Sequence, residues 1–546
     1  MTDAPIKPQS GVGDTDRGVL PSSDLKLQEL DAEHQENAVG YREYLQAIDL
    51  EVSDKELRRL RWKLDLTILP MFLVTQALQF MDKTSLNYAN LFGYQAALSL
   101  QGQQFNYLSA MVYAGYFFGQ YPCGWLIGRY PAQRVMAISI FFWGLMVILM
   151  TQTRTYSSAC TPVHNRLFQS ELTHRICSGR PMCATLPWFD TDDGILVYAQ
   201  RDTPSTVHMV VCAMSKHTEP HTSADIMPSS SLGWGGIIGS YISMGVSKLP
   251  ADLKPEPWEL IFFMLGGVTC VWSLVIWFLL PDSPSNAFFL NHRERLVAVK
   301  RVSENETGIK NKAFDKKQAL LGSFDPKTLL LFTSVFAAAI PNGVINSFST
   351  VIIRDMGFST TQTTQLKSVG DAVQIVALLI GGTVILNVKD SRLITALVAN
   401  LLCTISAVCM AYLPETNTWG RLVSFWLVNS QSVGFTVSLT TISSNMAGYT
   451  HRSLASAMVF TAYCWGNFAG PFVVKQSEAP HFRGATIGLQ VGYAIKLVCH
   501  LTLLIYMYLV NRHRDKKYGE PNRESSKEAG MRDQTEFENK DFRYVL

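Results

Sequence analysis

Apolar residues along this chain gather in long blocks, and charged residues are pushed into the stretches between them. The blocks run over 66–81, 107–127, 134–151, 232–247, 259–280, 328–347, 368–388, 393–413, 422–445, 454–474 and 487–510. They do not lie along the amphipathic stripes of a surface helix. Their length is close to the ~20 residues with which a helix crosses a bilayer core, so each predicts a transmembrane helix. The block at 232–247 is rich in small residues (Gly235, Gly236, Gly239, Ser240, Gly245). Small residues let helices approach closely in lipid, so its weaker apolar signal still reads as a span.

Basic residues orient these spans. Residues 282–327 carry Arg293, Arg295, Lys300, Arg301, Lys310, Lys312, Lys316, Lys317 and Lys327. The turn after the second block has Arg129 and Arg134, and the C-terminal tail opens with Arg512, Arg514, Lys516 and Lys517. The positive-inside rule puts all three regions, with the N-terminal tail, in the cytoplasm. That requires an even number of crossings before residue 282 and twelve in all, whereas five and eleven blocks are visible. The missing helix is expected between 151 and 232. The resulting division is a disordered cytoplasmic tail over 1–61, a helix bundle over 62–281, a cytoplasmic loop over 282–327, a second bundle over 328–511 and a cytoplasmic tail over 512–546.

Composition agrees with a membrane chain. Of 546 residues 47% are hydrophobic and 17% charged, against roughly a quarter charged in soluble domains. The polar first 60 or so residues contain no cleavable signal sequence, so the first membrane helix is expected to serve as the targeting signal. Cys123, Cys270, Cys403, Cys409, Cys464 and Cys499 sit in or beside apolar blocks and read as small packing residues.

Residues 155–230 differ from the rest. They hold His164, His174, His208, His217 and His221 of the 11 histidines, and Cys160, Cys177, Cys183 and Cys212 of the 10 cysteines. His208, Cys212, His217 and His221 offer zinc-like ligands, but no periodic element is expected to hold them, and no metal is assigned. Arg175, Arg180, Asp190, Asp192, Asp193, Arg201 and Asp202 interrupt any spanning stretch. Synonymous codons for Asp193 to Met209, read one base out of register, permit Trp-Tyr-Thr-Arg-Arg-Glu-Ile-Pro. Val211-Cys212 permits a splice-donor start, Ala224-Asp225 a branch site and Ser229 the closing acceptor. The segment is therefore expected to be a translated intron with a frameshift, covering the fourth helix and the loop after it.

Several strings carry a family resemblance. The first helix ends Phe80-Met81-Asp82-Lys83-Thr84-Ser85-Leu86-Asn87-Tyr88-Ala89, and a turn reads Gly124-Trp125-Leu126-Ile127-Gly128-Arg129-Tyr130-Pro131. The most specific string runs Leu280-Pro281-Asp282-Ser283-Pro284-Ser285-Asn286-Ala287-Phe288-Phe289-Leu290, with Asn305-Glu306-Thr307-Gly308-Ile309 and Asp325-Pro326-Lys327 beyond it. Pro341-Asn342-Gly343, Gly357-Phe358-Ser359, Ser443-Ser444-Asn445-Met446-Ala447-Gly448 and Gly466-Asn467-Phe468-Ala469-Gly470-Pro471 follow. Over 62–154 and 231–512 the chain resembles the major facilitator superfamily, in its fungal allantoate-permease-like branch of anion:cation symporters. The turn at 124–131 lacks the acidic residue of the wider superfamily. The resemblance implies the major facilitator fold, an all-α membrane protein of twelve transmembrane helices in two six-helix halves. The halves rock about a site near the midplane.

Charges and amides inside spans mark the candidate site. Lys83 is set to attract a substrate carboxylate or, alternatively, to snorkel to the interface. Asp82 beside it tunes it or takes part in proton transfer. Asn87, Asn342 and Asn445 are candidate substrate contacts, with helix-to-helix bonding as the alternative for each. Asp371, about one turn into its block, is the candidate proton carrier, or else an acid favoured by a helix start. Lys496 and His500 share a helix face four residues apart and read as packing or headgroup contact. No phosphate loop, nucleophile elbow or metal-spaced pair stands out, so an enzyme is not expected. The implied activity is proton-coupled import of a small organic anion by a monomer in the lipid bilayer, in the plasma membrane. It needs no cofactor and no nucleic acid. An exporter of the same fold and a transport-dead sensor are the alternatives.

Overall fold

The computed structural model describes residues 52–156, 220–250, 254–281, 287–304, 315–475, 483–522 and 534–546, with a few isolated positions besides. Eleven long helices occur among the described residues: α1 Asp54–Leu91, α2 Gln104–Arg129, α3 Ala132–Leu149, α4 Pro220–Ser247, α5 Pro257–Leu279, α6 Pro326–Asp355, α7 Thr360–Asn387, α8 Arg392–Tyr412, α9 Thr418–Asn445, α10 Tyr449–Ala469 and α11 Arg483–Tyr518. Each contains one apolar block of the sequence. Seven of them satisfy length and hydropathy criteria for crossing a membrane.

Their ends carry local signals. Glu256 and Glu259 form a capping box before Pro257 at the first position of α5. Asp325 caps α6, accepting from the Lys327 N–H at 3.1 Å, with Pro326 next in the chain. Ser359 and Gln362 cap α7 reciprocally. That start at Thr360 puts Asp371 about three turns into the helix, so it is not a helix-start acid.

The outer surface carries many large apolar side chains, while the apolar core also encloses polar ones. Phe278 is 73% exposed and Ile380 61%, while Asn467 and Thr350 are 0% exposed. That arrangement suits a surface that faces lipid tails. Helices α1–α5 form one half and α6–α11 the other. Within the first half α3 and α5 cross closely, because a Cβ on Gly144 would lie 2.9 Å from the Gly266 carbonyl and one on Gly266 2.7 Å from that of Gly144. The halves meet where α4 packs on α7, α2 on α10, and α1 on α6. Helices His292–Glu304 and Lys316–Phe324 lie in the basic linker between the halves. Lys63–Glu294 at 2.7 Å and Arg293–Glu56 at 2.9 Å tie it to the start of α1.

The described ends bear on the connection between α3 and α4. Arg154, just past α3, pairs with Glu259 at the start of α5 at 2.6 Å, and Ser247 at the end of α4 bonds Thr361 at the start of α7 at 3.0 Å. Those ends lie on the face opposite the basic linker. The chain therefore leaves α3 on that face and enters α4, a 28-residue helix, at the other. The suspect segment 155–230, which holds the expected intron and frameshift, falls mostly on 160–219, outside the described residues, as does most of the N-terminal tail. The last residues of that segment, from Pro220, are the start of α4.

Candidate functional site

Lys83 lies eight residues before the end of α1, about 12 Å along the helix from the face opposite the basic linker. Its Nζ donates a 3.1 Å hydrogen bond to the Tyr463 hydroxyl on α10. It also lies 5.0 Å from the centre of the Tyr113 ring on α2 and 5.7 Å from that of Tyr463. The ring faces attract the cation. Asn346 on α6 donates to the Tyr113 hydroxyl at 3.3 Å. Lys83 of α1, Tyr113 of α2 and Tyr463 of α10 thus bring both halves to one ammonium, with α6 joined to it through the Tyr113 hydroxyl. Among the described residues no carboxylate is within ion-pair distance of it.

Asp82 does not share that environment. Adjacent helical residues diverge by about 100°, and the Asp82 carboxylate accepts from Thr269 of α5 at 3.2 Å, 1% exposed inside the first half. Neighbours in sequence, the two charges serve different packing surfaces.

From Tyr463 the polar groups continue into the second half. Asn467 donates to the Tyr463 carbonyl at 2.8 Å and accepts from Asn342 at 2.8 Å; Gln431 donates to Asn342 at 3.3 Å. Two backbone irregularities serve this cluster. Pro341 sits inside α6 beside Asn342, and α9 tightens into a 3₁₀ turn over Val428–Ser430 just before Gln431. Gly343 lets α6 press against α10, since a Cβ there would lie 2.7 Å from the Asn467 carbonyl. The Gln431 carbonyl accepts from Lys496 at 2.9 Å, and His500 bonds Ser334 and Ser438 at 3.0 and 3.1 Å. Both are 1% exposed, so α11 turns them into its bundle and headgroup contact is not their role.

A second ionic site sits where α4 meets α7. Lys367 and Asp371, one turn apart, pair at 2.7 Å with side chains 7% and 9% exposed. Lys367 Nζ lies 5.4 Å from the Tyr88 ring centre, and the Tyr88 hydroxyl bonds Ser240 at 3.0 Å and donates to the Gly236 carbonyl at 3.2 Å. A Cβ on Gly236 would collide with the Asp371 carboxylate, so α4 needs glycine there. The i,i+4 spacing of Lys367 and Asp371 was readable in the sequence as a pairing signal. The aromatic partners Tyr88, Tyr113 and Tyr463 carried none.

Asn87 bridges the halves. It donates to Ser349 at 2.7 Å and accepts from the Thr350 hydroxyl at 2.7 Å, both on α6. With Asn106 donating to the Val474 carbonyl at 2.9 Å, and with Ser247–Thr361, it joins the two halves on the face opposite the basic linker. Asn445 lies far from all of these, at the basic end of α9. Both atoms of its amide are used, donating to the Val545 carbonyl at 2.9 Å and accepting from the Val545 N–H at 2.7 Å. The structure thus gathers Lys83 and Asn342 into one interface, sets Asn87 and the Lys367–Asp371 pair beside it, and separates Asp82 and Asn445.

Comparison with known proteins accords with this architecture. Residues 228–471 match the family model for the Major Facilitator Superfamily. The allantoate permease of Saccharomyces cerevisiae is 28% identical over 92% of this chain and 89% of its own length. An uncharacterized transporter of Schizosaccharomyces pombe, C757.13, is 29% identical over 94% and 92%. The thiamine pathway transporter THI73 of Saccharomyces cerevisiae is 27% identical over 91% and 87%. Among solved structures, the proton:xylose symporter XylE, bound to 6-bromo-6-deoxy-D-glucose, superposes with a TM-score of 0.56 at 11% identity, over 80% of this chain and 95% of XylE. These relatives are transporters and not enzymes. Residues 228–471 thus carry a Major Facilitator Superfamily domain, and this multi-pass membrane chain is similar to fungal transporters that include the allantoate permease of Saccharomyces cerevisiae.

Proposed function

We propose that the protein imports a small organic anion, such as a ureide, a vitamin acid or another carboxylate, together with protons. The observation that carries this reading is Lys83. An ammonium held at the junction of two halves, against two tyrosines and without a carboxylate among the described residues, keeps its charge for a ligand. Asn342 and Gln431 supply amide groups to the same region.

Asp371 is the proton carrier in this reading. While it is ionised it neutralises Lys367. A proton on Asp371 ends that pairing and leaves Lys367 as an uncompensated cation, which favours an anion close by. Linkage is reciprocal, so the bound anion favours the proton by the same free energy. With the basic face in the cytoplasm, the joins through Asn87, Asn106 and Ser247 hold the outer side shut and must part to admit substrate. The likeness to two yeast relatives, allantoate permease and a thiamine pathway transporter, supports a small organic substrate, and an importer of such a substrate would sit in the plasma membrane.

Uptake of radiolabelled allantoate and of a panel of small carboxylates, in cells lacking their own carriers, tests the proposal. Accumulation of one of them that a protonophore abolishes is the expected result. Lower retention of preloaded substrate would instead indicate export, and no effect on either would indicate a sensor.

A further inference from the structure

The end of the chain returns to the basic face of the second half and is held there by many of its residues. Glu536 is 0% exposed. Its carboxylate accepts from Lys327 Nζ at 2.6 Å and from the Ala447 N–H at 2.9 Å, and it lies 3.3 Å from His451 Nδ1. Lys327, itself 0% exposed, also donates to the Tyr544 hydroxyl at 3.1 Å and lies 3.4 Å from Asp325. Phe537 and Tyr544 flank its ammonium, each ring centre 4.6 Å away.

The backbone of the segment is read as closely as its side chains. Asn445 takes both the N–H and the carbonyl of Val545, and Asn511 of α11 does the same with Tyr544, at 2.8 Å each way. Arg514 donates to the carbonyls of Glu536 and Phe542 at 2.7 and 2.8 Å. The Arg392 N–H, at the start of α8, donates to the Leu546 carbonyl at 3.1 Å. Two amides that each satisfy one donor and one acceptor of a single residue bind a peptide backbone in one register, much as a neighbouring strand would.

Asp325, His451 and Glu536 present ligand atoms within 4.8 Å of one another, close enough for a metal ion. Lys327 lies against both carboxylates and supplies the positive charge that such an ion would bring. The cluster is built around a lysine, and without Glu536 it would keep two buried cationic side chains against one carboxylate.

We propose that the basic face of the second half is a peptide-docking surface whose occupant is the chain's own residues 534–546. The docked strap ties the ends of α6, α8, α9, α10 and α11 together, so that these helices move as one body. This inference does not depend on the substrate or on proton coupling.

Hydrogen exchange followed by mass spectrometry on the full chain in nanodiscs tests it. Amides of 534–546 should exchange at least about tenfold more slowly than a free peptide of that sequence. Glu536→Gln and Asn511→Ala should each speed exchange of that segment and of the basic-face ends of α8 and α10, while mid-helix amides of α6 stay protected. Lys540→Ala, at an exposed position, should change nothing. Free-peptide exchange in the unmodified chain would overturn the proposal, as would unchanged exchange in both interface variants. Protection lost on adding a chelator would replace the lysine-centred site with a metal site and overturn it as argued.

Discussion

Lys83 on α1 reaches Tyr463 on α10, 3.1 Å away, so a cation of one half is held by a hydroxyl of the other. The contact crosses the interface between the halves, so in the proposed transport cycle a rocking motion has to remake it. A ligand anion that takes over the ammonium would therefore sense both halves at once.

Lys83→Ala should weaken uptake of an anionic substrate with protein abundance near normal. Losing one charge attraction at a partly buried interface costs about 2–3 kcal/mol, or roughly 30- to 150-fold in apparent affinity. Lys83→Arg should retain part of it. Normal transport by the alanine variant would make Lys83 an interfacial anchor.

Asp371→Asn should flatten the pH dependence of uptake and leave Lys367 without its 2.7 Å partner. The double variant Asp371→Asn with Lys367→Gln removes both charges and should recover abundance if the single variant loses it, because a lone buried charge is the costlier state. Proton-dependent accumulation by the double variant would exclude the pair as the coupling device.

Asn87→Ala removes its bonds to Ser349 and Thr350. At about 0.5–1.5 kcal/mol for each net hydrogen bond, the closed arrangement of that face should lose about 1–3 kcal/mol. A cysteine placed at Asn346 should then react faster with an impermeant reagent added from outside. An unchanged rate would mean that Asn87 does not help to hold that face shut.

Glu536 gives the docked strap a defined acid limit. Burial alone would push its carboxyl up, but hydrogen bonding with His451 and the Lys327 charge outweigh it and bring it from 4.5 to about 2. A carboxylate lowered in the docked state stabilises docking above its ordinary range and loses that contribution as pH falls through the lowered value. Lys327, Asp325 and His451 are the charged or titratable side chains around it. Exchange of 534–546, corrected for its intrinsic pH dependence, should stay slow from about pH 7 to about 5 and rise below about pH 4.5. A steep rise already between pH 7 and 6 would contradict the assignment.

Sequencing of the spliced transcript should show that the codons of 155–230 are not all retained in this frame, and that the mature message encodes one more apolar span there. The described ends on either side of that stretch lie on opposite faces, which is the parity such a span requires. Retention of every codon would end the intron reading.

The long apolar helices were legible in the sequence alone. The cost of moving residues into lipid adds up locally, over some twenty neighbours, so each apolar block could be read without knowing its partners, and each became one long helix. The family strings added the two-half arrangement, and Lys83 stood out because charge within an apolar run is rare. Where each polar side chain points was decided only by the tertiary structure. Adjacent Asp82 and Lys83 part to different helices, Asn445 is taken up by a tail residue one hundred positions away, and Lys496 turns inward. A buried polar group is stable only when partners from other helices satisfy it. Those partners come together through glycine-mediated crossings and a returning chain end, which no local stretch of sequence records.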